Sequence, residues 1–140
     1  MNQLKMQVLA FTENELVIRT ALVAFLLPLN PTNDEILEMK TICAEAVVNA
    51  IVHAYPQVKG YVDVSITSDN RRVELIIKDY GIGMTDIDTK RSSFVTTKSD
   101  EEHSGMGFTI METFSDTMKV ESTINEGTTV TLVRYLHDIQ

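Results

Sequence analysis

Three short stretches, in this order, constrain the chain more than anything else in it: Glu45-Ala46-Val47-Val48-Asn49, Asp79-Tyr80-Gly81-Ile82-Gly83 and Ser104-Gly105-Met106-Gly107. The first sets a carboxylate and an amide one helical turn apart in an apolar segment. The second places an acid and two glycines at the end of an alternating stretch, where the glycines let the chain turn sharply and approach a flat ligand closely. The third puts Gly-x-Gly before a short helical pattern, where unpaired N–H groups and the helix dipole attract anions. Each alone is a cheap signal: a polar helix stripe, a Gly-rich turn, a hinge. Their order and spacing are far more specific, and together they point to a site for a phosphate-bearing ligand.

The elements between these stretches follow from periodicity. Leu4, Met6 and Val8 alternate with polar residues and suggest an opening strand. Thr12 and Glu15 have the spacing of a capping box, with Phe11 and Leu16 as its hydrophobic staple, so a helix is expected from about Glu13 to Leu27. Pro28 and Pro31 break it, and Thr32 with Glu35 forms a second capping box that launches a longer helix ending near Ala54. From Tyr61 the period changes to two: Val62, Val64 and Ile66, a turn at Ser68-Asp69-Asn70-Arg71, then Val73, Leu75 and Ile77. Continuing that alternation puts Asp79 on the core side, where a carboxylate needs a partner. Residues 84–103 show neither period and read as a poorly ordered segment or a mobile lid; loops this long inside small domains are usually functional. Phe108, Ile110, Met111 and Phe114 then give a short helix, and a strand pair turns at Asn125-Glu126-Gly127, with Val130 and Leu132 alternating beyond it.

Thr41, Glu45, Asn49 and His53 succeed one another at i+4 as one polar stripe on the second helix. Apolar residues occupy nearly every other direction, so the helix is expected to be largely buried, with its polar groups either bonded to nearby backbone or forming a metal and phosphate site. Asp79 would accept an exocyclic amino group and so select adenine over guanine.

Composition narrows the remaining classes. At 140 residues with 44% hydrophobic content, one domain spanning 1–140 is expected and no second sizeable one fits. Twelve Lys and Arg against twenty Asp and Glu leave a net charge of −8, which disfavours nucleic acid in the absence of a basic cluster. The single cysteine, Cys43, can form no intramolecular disulfide and suits a reducing cytoplasm. The longest apolar run, Ala21 to Leu29, is too short for a membrane span, and the opening residues lack a signal peptide's pattern.

Taken together, the motifs resemble the GHKL, or Bergerat, ATP-binding fold shared by gyrase, the ninety-kilodalton heat-shock chaperone, histidine kinases and mismatch-repair ATPases, over nearly the whole chain. That resemblance implies an α+β two-layer sandwich, a mixed, mostly antiparallel sheet with helices on one face, and an ATP lid at about 84–106. It implies ATP or ADP and Mg²⁺ as ligands, with Asn49 on the metal and Asp79 on the adenine amino group. Gly81 and Gly83 would line the base pocket, and Ser104, Gly105, Met106 and Gly107 would bind phosphates. Gly127-Thr128-Thr129 matches the family's Gly-Thr, whose hydroxyl supports the adenine-binding Asp.

Within this fold the chain looks most like the anti-sigma factor kinases of spore-forming bacteria, the sporulation branch in particular. Glu13-Asn14-Glu15 with Arg19 and Phe25, Glu45-Ala46-Val47-Val48-Asn49-Ala50-Ile51 with His53 and Tyr55, Phe94-Val95-Thr96-Thr97-Lys98, and Ser104 through Glu112 carry that likeness. It implies a cytoplasmic homodimer that holds a sigma factor of the sigma F kind and phosphorylates a serine on its anti-anti-sigma antagonist, with no membrane or nucleic-acid partner. Glu45 would accept the serine proton, Thr97 and Lys98 would face the phosphates, and Arg19 and His103 would contact partners. His103 stands where relatives usually carry arginine, and Tyr80 where an acid is common. A binding module that sequesters sigma without transfer, or a stress-response kinase, is the alternative; Glu45 favours catalysis. The exposed first helix and opening strand are interface candidates.

Overall fold

The computed structural model describes residues 1–55, 60–83, 93–95 and 106–139. Strand β1 (Asn2–Leu9) turns Leu4, Met6 and Val8 toward the core, as the alternation requires. Helix α1 (Asn14–Leu26) buries Ile18, Leu22 and Leu26, spaced four apart on one face. A 3₁₀ turn at Leu27–Leu29 takes up Pro28 and ends on Asn30 in the left-handed region.

Helix α2 (Asn33–Val48) opens on a complete capping box. The Thr32 hydroxyl accepts the Glu35 N–H at 3.0 Å and the Glu35 carboxylate accepts the Thr32 N–H at 2.9 Å. The box expected at Thr12 and Glu15 does not form. The Thr12 carbonyl already takes the Glu15 N–H at 3.1 Å, and the Glu15 carboxylate turns to Arg19 at 2.9 Å. No side chain caps α1, and Phe11 and Leu16 are both exposed, so the staple is also absent.

Strands β2 (Tyr61–Asp69) and β3 (Arg72–Asp79) form the expected hairpin, closed by Asn70 and Arg71 alone, with Asn70 at φ 57°. Helix α3 (Met106–Phe114) leads into β5 (Thr117–Thr123) and β6 (Gly127–Tyr135), which pair about the turn at Asn125. A short strand, β4 (Ser93–Val95), pairs with β5 inside the segment that showed no strand period. The remainder of that segment, 84–92 and 96–105, lies outside the described residues.

The sheet runs β1-β2-β3-β6-β5-β4. Every described pairing is antiparallel, in keeping with the mostly antiparallel sheet expected. Two helices, not one, separate β1 from β2, so the chain re-enters the sheet at the end where it left, with Leu9 opposite Tyr61. One core joins α1, α2 and α3 to one face of this sheet, where Val64, Ile66, Leu75, Ile77 and Val130 point. Cys43 is buried within it, and burial pushes its thiol up to about 12, which leaves it unreactive. Among the described residues no helix is long and apolar enough to cross a membrane.

Candidate functional site

Two structures meet at the end of β3. The first is the C-terminal end of α2, which carries Glu45 and Asn49. The Asn49 N–H is shared between the carbonyls of Ala46 and Glu45, and the chain then widens into a π turn at Asn49–His53. Single π turns of this kind concentrate at functional sites. Both side chains are half-buried and make no hydrogen bond or ion pair among the described residues. They are therefore not spent on neighbouring backbone, unlike Thr41, whose hydroxyl donates to the Leu37 carbonyl at 2.8 Å. The helix is less enclosed than the sequence suggested, because Leu37, Val48 and Val52 are exposed.

The second structure is a ledge built on Asp79. As the last inward residue of β3 it is 5% exposed. Its Oδ1 accepts N–H bonds from Gly81 at 3.0 Å and Thr128 at 3.1 Å, and among the described residues none reaches Oδ2. Burial raises its pKa, and the two N–H donors counter that only in part. The Thr128 contact differs from the one the resemblance implied. Its backbone N–H, not its hydroxyl, supports Asp79, because the hydroxyl lies 2.8 Å from that of Ser122. Ser122 in turn donates to the Gly127 carbonyl at 3.2 Å. Thr129 lies opposite Lys78 in the sheet, on the face away from Asp79.

Two glycines make the ledge possible. Gly127 has φ 118°, and a Cβ there would come within 2.1 Å of the Asp79 carbonyl oxygen. Gly81 lies so close to α2's extension that a Cβ would come within 2.1 Å of the Ala54 oxygen. That same oxygen accepts the Ile82 N–H at 3.0 Å, just before Gly83, so the π turn and the Asp79 loop are docked together.

Gly107 is the second residue of α3, near the helix start where the sequence placed it. Thr97, Lys98, His103, Ser104 and Gly105 lie outside the described residues, as does the side chain of Met106. Arg19 projects from α1 and is already paired with Glu15 at 2.9 Å. Sequence reasoning missed Tyr55 as a link between α2's extension and the ledge, and Ser122 beneath Thr128. It also missed the bond of Glu35 to His137, 102 residues away. No local period signals such pairs.

These features define the class of protein. The chain belongs to the histidine kinase-like ATPase domain family, whose model matches residues 12–134. Its branch is that of the anti-sigma F factors. It is 46% identical over 137 residues to the "Anti-sigma F factor" of Priestia megaterium, covering 96% of this chain and 93% of the relative. It is 40% identical over 136 residues to that of Bacillus subtilis strain 168, with the same coverage of both chains. A crystal structure of the RsbU and RsbW domains of a Mycobacterium tuberculosis protein superposes with a TM-score of 0.71 at 18% identity. It covers 99% of this chain and 34% of the longer one, and its likeness speaks to the fold alone.

Proposed function

We propose that this chain is a single-domain anti-sigma factor that holds a sporulation sigma factor inactive. On this reading it also phosphorylates a serine of the anti-anti-sigma antagonist with Mg-ATP, as a homodimer in the cytoplasm. The observation that carries the reading is the pairing of a ledge and a bare carboxylate. Asp79 has one oxygen filled by backbone N–H groups, and among the described residues neither its other oxygen nor Glu45, one turn before Asn49 on the docked helix, has a partner.

The donor set fits a divalent cation held in the manner of Mg²⁺. Among the described residues no three His, Cys, Asp or Glu cluster, so Asn49 would hold the ion with phosphate oxygens and water. The ion would neutralise charge on those oxygens. The Asp79 carboxylate accepts the adenine amino group and excludes guanine, which presents an acceptor there. The N–H groups at the start of α3 would bind the phosphates, a role the reading also gives to Ser104, Gly105 and Thr97, with Lys98 offsetting charge. Glu45 takes the proton of the acceptor serine as its oxygen bonds to the γ-phosphorus and ADP leaves. Arg19 and His103 serve partner contacts, and residues 84–106 serve as the lid.

Transfer of labelled γ-phosphate from Mg-ATP to a sporulation anti-anti-sigma protein tests this reading. Serine labelling is expected, with a loss of roughly 10²-fold or more in Glu45→Ala and Asn49→Ala. Tight ATP binding and sigma capture without labelling would replace it with sequestration alone. Undiminished transfer in Glu45→Ala would remove the assigned base.

A further inference from the structure

Tyr55 lies two residues beyond the π turn, and its side chain reaches across to both β2 and the residue after β3. The hydroxyl donates to the carbonyl of Tyr61, the first residue of β2, at 2.7 Å. It accepts the N–H of Tyr80, the residue after Asp79, also at 2.7 Å. The ring is buried and backed by Gly60, where a Cβ would meet it at 2.5 Å. Burial raises the phenol's pKa, so the hydroxyl keeps its proton and its donor role through the neutral range. On the outer face, the Tyr80 side chain bonds Asp63, and the Lys78 ammonium lies 5.0 Å from the centre of its ring. Tyr80 is therefore gripped from both sides of the sheet, by its own side chain outside and through its amide inside.

We infer that Tyr55 is a positioning residue for base recognition: its hydroxyl pins the Tyr80 amide, and with it the Asp79 carboxylate, to the end of the turn that begins at Asn49. The inference rests on the proposed role of Asp79 toward the adenine amino group. Its physical content is mutual alignment. Asp79 belongs to the sheet and Asn49 to the helix layer, and a nucleotide spanning both gains from each only if their separation is held. The docked backbone pair of Ala54 and Ile82 sets one fixed point between the layers, and the Tyr55 hydroxyl sets a second. Two points fix an orientation where one would allow rotation. Tyr55→Phe removes the second point, keeps the ring and leaves a buried N–H and a carbonyl to find other partners.

The experiment is calorimetric titration of the full chain and its Tyr55→Phe variant with Mg-ATP and with Mg-ITP, well below the melting temperature of either protein. Inosine carries a 6-oxo group and an N1–H in place of adenine's 6-amino group and bare N1, so the ATP-to-ITP ratio reads recognition of the base edge that Asp79 is proposed to bind. In the variant, ATP affinity is expected to fall roughly tenfold, the equivalent of one hydrogen bond, while ITP affinity changes by less than about twofold. The preference for ATP therefore contracts, and amide exchange at Tyr80 and Gly81 speeds up. A role confined to stability would weaken both nucleotides equally; an unchanged ratio overturns the inference. Gly81→Ala strains the same dock from the loop side and is expected to contract the ratio as well, so full preference in that variant also contradicts it. A parent chain with no preference for ATP over ITP would instead remove the reading of Asp79 on which the inference stands.

Discussion

Glu35, at the start of α2, and Asp79, at the end of β3, are buried alike, at 6% and 5% exposure, yet the fold treats them oppositely. Glu35 has both oxygens filled. Oε1 accepts the Thr32 N–H at 2.9 Å and lies 2.8 Å from His137 Nδ1, and Oε2 accepts the His137 N–H at 2.6 Å. Burial pushes its carboxyl up, but these bonds outweigh burial and hold it at about 2. Asp79 concentrates two N–H bonds on one oxygen, burial prevails and its pKa rises. The difference separates a carboxylate the fold uses from one it keeps for something else. Glu35 caps a helix and clasps the C-terminal segment to it; among the described residues Asp79 leaves Oδ2 without a donor.

The sharpest way to break this contrast is to exchange the two roles by mutation. Asp79→Asn keeps the Oδ1 contacts but turns the other arm into a donor. ATP affinity measured by calorimetry should fall roughly a hundredfold, while the melting temperature holds or rises, because an ionised carboxylate no longer has to be buried. A melting temperature that collapsed with binding would make Asp79 structural. The ledge itself is tested by Gly127→Ala, whose Cβ would meet the Asp79 carbonyl at 2.1 Å in a backbone region hostile to side chains. More than about 2 kcal/mol of stability should be lost in urea unfolding. Glu35→Gln is the mirror case: about 2 kcal/mol of stability lost, with ATP affinity unchanged within about twofold.

The same contrast has a pH signature. Glu35 falls from 4.5 to about 2 on folding, so its contribution is fully present above the unfolded value and disappears as pH drops toward 2. The shift corresponds to roughly 3 kcal/mol, cut to about 2 because the His137 ring is 42% exposed. Asp79, raised on folding, works the other way: its contribution is present at low pH and is lost as pH rises through its folded value. Urea unfolding from pH 5 to pH 2 should therefore show less loss of stability in Glu35→Gln than in the parent, and equal slopes would contradict the clasp. The smallest expected effect is at Tyr80→Phe. It loses the exposed bond to Asp63 yet keeps the amide that Tyr55 holds, so stability should change by less than about 0.5 kcal/mol.

Much of this was legible before the structure, for physical reasons that also mark where legibility stopped. The two-residue period ran through Val73, Leu75 and Ile77 to Asp79, because a pleated strand half-buried against helices leaves that imprint. The three motifs were enough to indicate the fold. Capping boxes were legible only as candidates. Thr32 with Glu35 and Thr12 with Glu15 share one spacing, but the second Glu had a better partner in Arg19. β4 is three residues long and pairs with β5, a partner distant in the chain that no local period can report. The Tyr55 bridge and the Glu35 clasp join groups distant in the chain, and no period marks them. Thr128 was singled out for its hydroxyl, yet its backbone does the holding, since a sequence names side chains and not the amides beneath them.

The most direct test follows the Asp79 carboxyl carbon by NMR as pH is varied, in the free chain and with Mg-ADP bound. The account predicts a midpoint above the ordinary aspartate range in the free chain, moved downward by nucleotide as an amino group takes the open oxygen. A midpoint at or below the ordinary value without ligand, or one that nucleotide leaves in place, would contradict it.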